Sequence, residues 1–406
     1  MTDAQVLFLH CVRAGLQGQT LGPVNAPPEV CAEVLALAED HKLVGLVLDV
    51  LLRSGARLPE KDLEQAKTSA VEAAVRQQVQ ENELLDLLLG LRAVGVEPLV
   101  VKGAVCRTLY PNPLLRPSVD EDLFLSPADA ETAHELLLAE GYAPDDPQRD
   151  PGAAEYSYHK PGSPSYLELH TALLDPDSPV FGPCNRLFAE SLSHPASLRV
   201  QDVSLLTLAP TEHLLFLLLH AYKHFLHSGF GIRLVCDIGL FSQRFAPEID
   251  FEAVIRTLGE LRCGEFAGAI YGICSRHLGL DVPPAFSQAL PEELPLLEDI
   301  LSAGLHGSGS MDRLHSATLT LQTVAADRTK GSGAPLRTAL FPGLRSMERR
   351  FPYLKGRPWL LPVAWVQRWL RYAGSVGKHR NTHPAVTMQL ADTRIRLLQT
   401  YHIIGP

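Results

Sequence analysis

The feature that most constrains the fold is a change of hydrophobic period near residue 97. Before it, apolar residues recur every three or four positions, as in amphipathic helices. From residue 97 to 174 the chain instead shows four segments of strand character: EPLVVKG, VDEDLFL, AEYSYHK and SYLELHTALL. The helical period returns from about residue 209. The sequence therefore predicts an α+β fold, in which a small mixed β-sheet is flanked by N-terminal and C-terminal α-helical regions.

Length and composition describe a chain with a large core. The 406 residues are 46% apolar and 20% charged, and they predict three regions: 1–80 helical, 81–205 α/β and 206–406 helical. A net charge of −10 argues against broad binding to nucleic acid. We expect neither a membrane-spanning helix nor a leader peptide. Seven scattered cysteines without a CxxC pair are typical of a reducing compartment, so we expect a cytoplasmic protein.

Acidic residues stand where a strand is predicted. Side chains alternate along a strand, so Asp120 and Asp122 share one face of VDEDLFL, and Glu168 is a further acid in YLELH. Two carboxylates about 4 Å apart repel by roughly 4 kcal/mol at an effective dielectric near 20. A divalent cation reverses that sign, and Mg²⁺ prefers oxygen ligands. The pattern favours a magnesium site, while a solvated acidic strand face remains the alternative.

A basic corner lies upstream of these acids. Lys102, Gly103 and Ala104 follow the predicted strand LVV and open a short helix or turn. Glycine lets the backbone approach a phosphate, and helix N–H groups bind anions. Lys102 and Arg116 supply positive charge for a triphosphate. The alternative is a strand-end turn with basic residues at the surface.

Taken together, these motifs resemble a known family. The run LVVKGAVCRTLYPNPLLRPSVDEDLFL, followed by a helix and YLELHTAL, resembles the uncharacterised nucleotidyltransferase family of the polymerase-β-like superfamily. The resemblance covers residues from about 85 to 175. The chain departs from the family pattern at Ala104, where the superfamily has a serine. Glu121 replaces an apolar residue between the aspartates, and Val119 stands where glycine is common.

The resemblance implies a fold, a metal and a reaction. Asp120, Asp122 and Glu168 would hold Mg²⁺, and Lys102–Gly103–Ala104 would take the place of the nucleotide motif. The reaction would move a nucleoside monophosphate from an NTP, with ATP as the default, to an acceptor by a two-metal mechanism. The acceptor, a small molecule, a protein or an RNA end, is not identified by any motif. The alternative is a non-catalytic nucleotide-binding or partner-binding protein with the same fold.

Five further residues are weaker candidates for nucleotide contacts. His170 shares the strand face of Glu168 and would orient it or contact phosphate. In the resembling family the helix around Lys223 and His224 faces the catalytic cleft. Arg233 and Asp237 are four residues apart on a predicted helix, where they would form an ion pair or line the cleft. For each of them a purely structural role remains open.

Overall fold

The computed structural model describes residues 1–147, 152–227, 229–287 and 290–303, followed by residues 324, 344, 347, 351–354, 356–367 and 394–405. The chain divides into two compact units. One comprises Met1–Lys223 and Gly229–His306, and the other comprises His224–Ser228 and Gly307–Pro406.

Four helices form the N-terminal part of the first unit. Thr2 accepts the backbone N–H of Gln5, and the Gln5 side chain accepts that of Thr2, so the first helix starts with a capping box. The first three helices pack on one another through buried Leu and Val side chains, and the third packs on the fourth, which has 34 residues. They are α1 (Asp3–Leu16), α2 (Pro28–Asp40), α3 (Val44–Arg53) and α4 (Glu60–Ala93).

A seven-stranded mixed sheet follows, with the strand order β3-β4-β5-β2-β1-β7-β6. The two central pairings differ in direction, because β2 runs antiparallel to β1 and parallel to β5. The strands are β1 (Leu99–Val101), β2 (Glu121–Phe124), β3 (Ala143–Pro144), β4 (Glu155–His159), β5 (Tyr166–His170), β6 (Ala196–Val200) and β7 (Val203–Thr207). Helix α5 (Gly103–Arg107) connects β1 to β2, and α6 (Ala130–Ala139) follows β2.

The predicted α+β fold with a small mixed sheet is confirmed. One β-hairpin was not predicted from the sequence. Strands β6 and β7 pair antiparallel through a two-residue turn, and β7 lies parallel to β1. The turn contains no glycine, and Gln201 adopts the positive φ of 51° that glycine would usually supply. The usual Asn-Gly or Asp-Gly hairpin signal is therefore missing from the sequence.

Among the described residues after the sheet, five longer helices follow, as the returning helical period predicts. The first of them, α7, extends into the second unit. The helices are α7 (Pro210–His227), α8 (Ile232–Arg244), α9 (Phe251–Glu260), α10 (Gly264–Arg276) and α11 (Leu294–Ala303). Among the described residues, no helix combines the length and the apolar character that crossing a bilayer requires.

In the second unit, the described residues form a small apolar core. Met347, Phe351, Leu354 and Ala364 are buried together, and Trp365 packs against them. Short 3₁₀ turns at Pro352–Leu354 and Pro358–Leu360 lie beside this cluster.

Candidate active site

Strand register brings the predicted basic and acidic residues to one place. Val101 of β1 is paired with Asp122 of β2, and Asp122 is paired with Glu168 of β5. Lys102 directly follows Val101. The central three strands therefore carry Lys102, Asp122 and Glu168 side by side, although 66 positions separate the first from the last along the chain.

Asp122, Glu168 and His170 form a compact group. His170 Nε2 lies 3.0 Å from Asp122 Oδ1 and 3.5 Å from Glu168 Oε2. One ligand atom from each residue lies within 4.8 Å of the other two, a spacing that suits a metal ion. Asp122 and His170 are buried and Glu168 is half-buried. The structure thus brings His170 into the acidic group together with two of the three predicted metal ligands.

Asp120 lies one residue before β2 and is half-buried. Burial raises the pKa of its carboxyl, because the charged form loses solvation. Lys102 opposes that rise, whereas the negative charges of Asp122 and Glu168 add to it. Asp120 therefore belongs to the same electrostatic group, and its predicted part as a metal ligand stays a prediction.

Lys102 contributes a cation to this group. Its Nζ lies 2.8 Å from Asp122 Oδ2, and only 13% of its side chain is exposed. Burial alone would lower the pKa of Lys102, but Asp122, Asp120 and Glu168 raise it above its ordinary value. Burial would likewise raise the pKa of Asp122, but Lys102 and His170 hold it below its ordinary value. The pair is fully charged at neutral pH.

His170 is charged as well. Burial lowers the pKa of a histidine, but hydrogen bonds to Asp122 and Glu168 raise that of His170 to about 9. Exposed Glu155 on β4 adds a further carboxylate, 3.7 Å from His170 Nδ1. At neutral pH the group thus holds more carboxylates than cations, even with His170 protonated.

The opposite face of β2 has a different arrangement around Glu121. Its carboxylate accepts hydrogen bonds from Arg107 (2.6 Å), the Ala104 N–H (2.9 Å) and the Ser118 hydroxyl (3.1 Å). The Arg107 and Glu121 side chains are 1% and 2% exposed. A Cβ on Gly103 would overlap the Glu121 carboxylate, so glycine is required there for packing. The N–H of Ala104, predicted to face phosphate, donates to this carboxylate.

Helix α4 holds the segment that leads into β2. Gln77 accepts the Ser118 N–H at 2.6 Å, and Gln80 donates to the Val119 and Pro164 carbonyls at 3.0 and 2.9 Å. Glu81 also contacts Arg107, at 3.2 Å. These contacts fix where β2 begins, and with it the positions of Asp120 and Asp122.

Arg116 and Asp237 form a second buried ion pair. Arg116 donates to both carboxylate oxygens of Asp237, at 3.1 and 2.6 Å, and the Tyr110 hydroxyl donates to the same carboxylate at 2.9 Å. Asp237 thus pairs with Arg116, whereas the helical spacing favoured Arg233. Whether Arg116 also contacts phosphate stays a prediction.

Arg233 instead donates to the Pro117 carbonyl. Burial and the neighbouring Arg116 lower its pKa to about 10, while negative groups that include Asp120 oppose the change. Arg233 is therefore charged at neutral pH and lies within the field of Asp120. Its predicted nucleotide contact stays a prediction.

Lys223 and His224 lie near the end of α7, where both are half-buried. His224 belongs to the second unit. Their predicted contacts with nucleotide or acceptor stay predictions.

Sequence reasoning missed two residues that shape the site. Arg107 neutralises Glu121, and its position three residues after Ala104 gave no clue to that partner. His213 contacts the backbone of Lys102 at 3.3 Å, although it looked like an interruption in an apolar run. The unexplained acid at position 121 was the available sign that a basic partner existed, but nothing in the sequence indicated Arg107 as that partner.

Comparison with known proteins supports the same family. The model of the family described as "Uncharacterised nucleotidyltransferase" matches residues 28–279, more than half of the chain. The chain belongs to this family. The match contains α2–α10 and all seven strands, so the acidic group lies inside the nucleotidyltransferase region.

The comparison with solved structures gave a match of low sequence identity. The crystal structure of an antigenic nucleotidyltransferase-like protein from Paracoccidioides brasiliensis is similar at 14% identity and a TM-score of 0.32. The similarity covers 50% of this chain and 94% of that one. No curated protein matches the chain.

Proposed function

We propose that this protein is a metal-dependent nucleotidyltransferase that moves a nucleoside monophosphate from an NTP, ATP being the first to test, to an acceptor not yet identified. The observation that carries the proposal is the grouping of Asp122, Glu168 and His170 within 4.8 Å on adjacent strands of a nucleotidyltransferase-family chain. Lys102 and Asp120 share the electrostatic field of that group.

The donor set fits a divalent cation. Asp122 and Glu168, together with Asp120, offer the carboxylate oxygens that Mg²⁺ prefers. His170 would offer a nitrogen to an ion such as Mn²⁺ once the incoming cation displaces the proton that His170 carries in the metal-free protein. The excess of carboxylates over cations leaves negative charge for such an ion to neutralise. When bound, the ion would act as a Lewis acid and offset charge on the phosphates.

The side chains of the chain itself can bind the phosphates and move a proton. Lys102 places an ammonium group beside Asp122, where it can neutralise charge that develops on a phosphate. Glu168 is half-buried and accessible, so its carboxylate can accept the proton of the attacking hydroxyl or amine. His170 holds both Asp122 and Glu168 in position through Nε2.

A transfer assay tests this function without knowledge of the acceptor. The protein is incubated with each α-labelled NTP and Mg²⁺ or Mn²⁺, alone and with a cell extract, and pyrophosphate release and label transfer are measured. We expect both in the wild type and neither in Asp122→Asn. Asp202→Asn is the matched control, since Asp202 is fully exposed. Equal activity in the wild type and Asp122→Asn would refute the metal-site assignment.

A nucleotide-binding protein without turnover is the second candidate. It is favoured by the Ala104 N–H, which donates to Glu121 and so is not open to a phosphate. NTP binding by calorimetry with no release of pyrophosphate in any extract would select this candidate over the first.

We also propose a cytoplasmic location. All seven cysteines are buried free thiols. Such usage is typical of proteins from reducing compartments. Fractionation of cells that express the full-length protein tests this proposal.

A further inference from the structure

A buried histidine on α7 reaches the backbone of the lysine in the candidate active site. His213 has no exposed surface, and the Lys102 N–H donates to its Nε2 at 3.3 Å. Its ring also packs against Phe241, with the ring centroids 4.8 Å apart. The contact connects the helix that follows the sheet to the end of β1.

Lys102 has an unusual backbone conformation. Its φ is 57° and its ψ is −104°, a region that residues other than glycine rarely adopt. Such a residue persists only where its surroundings hold it, and these residues cluster at functional sites. The turn directs the chain from β1 into α5, while the Lys102 side chain reaches Asp122 on the neighbouring strand.

The hydrogen bonds around His213 allow one neutral form of the ring. The Thr207 hydroxyl donates to the Val100 carbonyl at 2.7 Å, so its oxygen is left to accept from His213 Nδ1–H at 3.2 Å. Nε2 then carries no proton and accepts the Lys102 N–H. Burial lowers the pKa of His213 to about 3, in agreement with a neutral ring.

We propose that His213 is a positioning residue, which holds the strained Lys102 turn so that the lysine ammonium stays against Asp122 and faces the phosphates. Its effect on turnover rests on the proposed function, whereas its effect on the Lys102 turn does not. Thr207 supports the same arrangement, because its hydroxyl fixes the tautomer of His213.

Three variants separate positioning from general packing. His213→Leu removes the acceptor, and His213→Gln keeps one near the place of Nε2. His41→Leu is the matched control: His41 is also fully buried, its Nδ1 accepts the Ile232 N–H at 3.2 Å, and burial lowers its pKa to about 4. Both leucine variants should lose thermal stability.

The rate of hydrogen exchange at the Lys102 backbone amide measures the stability of this turn directly in the metal-free protein. We expect His213→Leu to accelerate exchange of the Lys102 amide about tenfold more than His41→Leu does. His213→Gln should remain close to the wild type. Equal exchange at Lys102 in the two leucine variants would overturn the proposal.

Kinetics provides the second readout. We expect His213→Leu to lower kcat/KM for the NTP about 100-fold, the size expected when a site residue moves by about 1 Å. His213→Gln should recover most of this loss, and His41→Leu should stay near the wild type at a temperature where it is folded. Equal kinetics in the two leucine variants would contradict the role of His213 in turnover. A wild type without any transfer would refute the proposed function, and the exchange measurement would still decide whether His213 holds Lys102.

Discussion

The two faces of strand β2 carry acidic side chains in contrasting surroundings. On one face Glu121 accepts three hydrogen bonds, and buried Arg107 balances its charge. On the other face Asp122 shares Lys102 and His170 with further carboxylates of the same group. The Glu121 carboxylate thus has its hydrogen-bond partners within the protein, whereas the group around Asp122 leaves negative charge for a ligand to neutralise.

This difference shows that the partners of an acidic residue determine its role. Glu121 and Asp122 are adjacent in sequence and equally buried, at 2% exposure each. Glu121 serves packing, since it fills the space next to Gly103 and binds the start of α5. Asp122 serves chemistry in our proposal, and the variants below test that division.

The largest expected effect is the loss of transfer in Asp122→Asn. Removal of one preorganised electrostatic contact typically costs 10²- to 10³-fold in rate, and we expect a loss of at least about 10³-fold here. The measurement is steady-state label transfer, with circular dichroism to show that the fold is retained. A loss of less than about tenfold would place Asp122 on the structural side of the comparison.

Glu121→Gln should mainly change stability. Breaking this buried ion pair leaves Arg107 with Glu81 as its remaining acidic partner and costs up to about 3–5 kcal/mol. We therefore expect a lower free energy of unfolding in urea. The double variant Glu121→Leu with Arg107→Met should recover much of that loss, because an apolar pair can replace a buried ion pair. An unchanged urea midpoint in Glu121→Gln would show that the Arg107 pair contributes nothing to stability.

The pH dependence of the free energy of unfolding tests whether buried His213 is neutral in the folded protein. The pKa of His213 is about 3 in the folded state, against about 6.5 when unfolded. Below pH 6.5 the unfolded chain therefore binds a proton that the folded chain does not. This group's contribution is fully present above pH 6.5 and declines by about 1.4 kcal/mol per pH unit as the pH falls toward 3.

Urea unfolding at pH 7 and pH 5 measures this contribution. The stability advantage of the wild type over His213→Gln should shrink by about 2 kcal/mol between the two pH values. An advantage that is equal at both pH values would show that His213 takes up its proton in the folded protein over the same pH range as in the unfolded chain.

The smallest expected effect is a gain of metal affinity in Lys102→Met. Lys102 competes with a cation for Asp122, so its removal should tighten Mn²⁺ binding roughly tenfold in the absence of nucleotide. The same variant should bind NTP more weakly. Lys160→Met is a suitable control, because Lys160 follows β4 and pairs with Glu83 of α4. Weaker Mn²⁺ binding in Lys102→Met would contradict competition between the two cations.

Period and composition predicted the sheet and its flanking helices, because buried strands and amphipathic helices leave strong local patterns. Alternation along the strand also predicted that Asp120 and Asp122 share a face. The motifs and the family resemblance predicted that Glu168 joins the two aspartates, but local patterns did not predict the strand register that pairs Asp122 with Glu168 and with Val101. The β6–β7 hairpin was missed because its turn uses Gln201 in a conformation that usually requires glycine.

The sequence also did not predict which charged residues form ion pairs with one another. Helical spacing favoured a pair between Arg233 and Asp237, but the fold delivers Arg116 to Asp237 from 121 residues away. Tertiary geometry decides such pairs, since an i,i+4 pair on a helix contributes only a few tenths of a kcal/mol. The same holds for Arg107 with Glu121.

Manganese binding followed by electron paramagnetic resonance tests the central claim most directly. We expect Mn²⁺ to bind the wild type with a nitrogen coupling that disappears in His170→Gln, and to bind far more weakly to Asp122→Asn than to Asp202→Asn. Equal affinity in those two aspartate variants, with no nitrogen coupling in the wild type, would contradict a metal site at Asp122, Glu168 and His170.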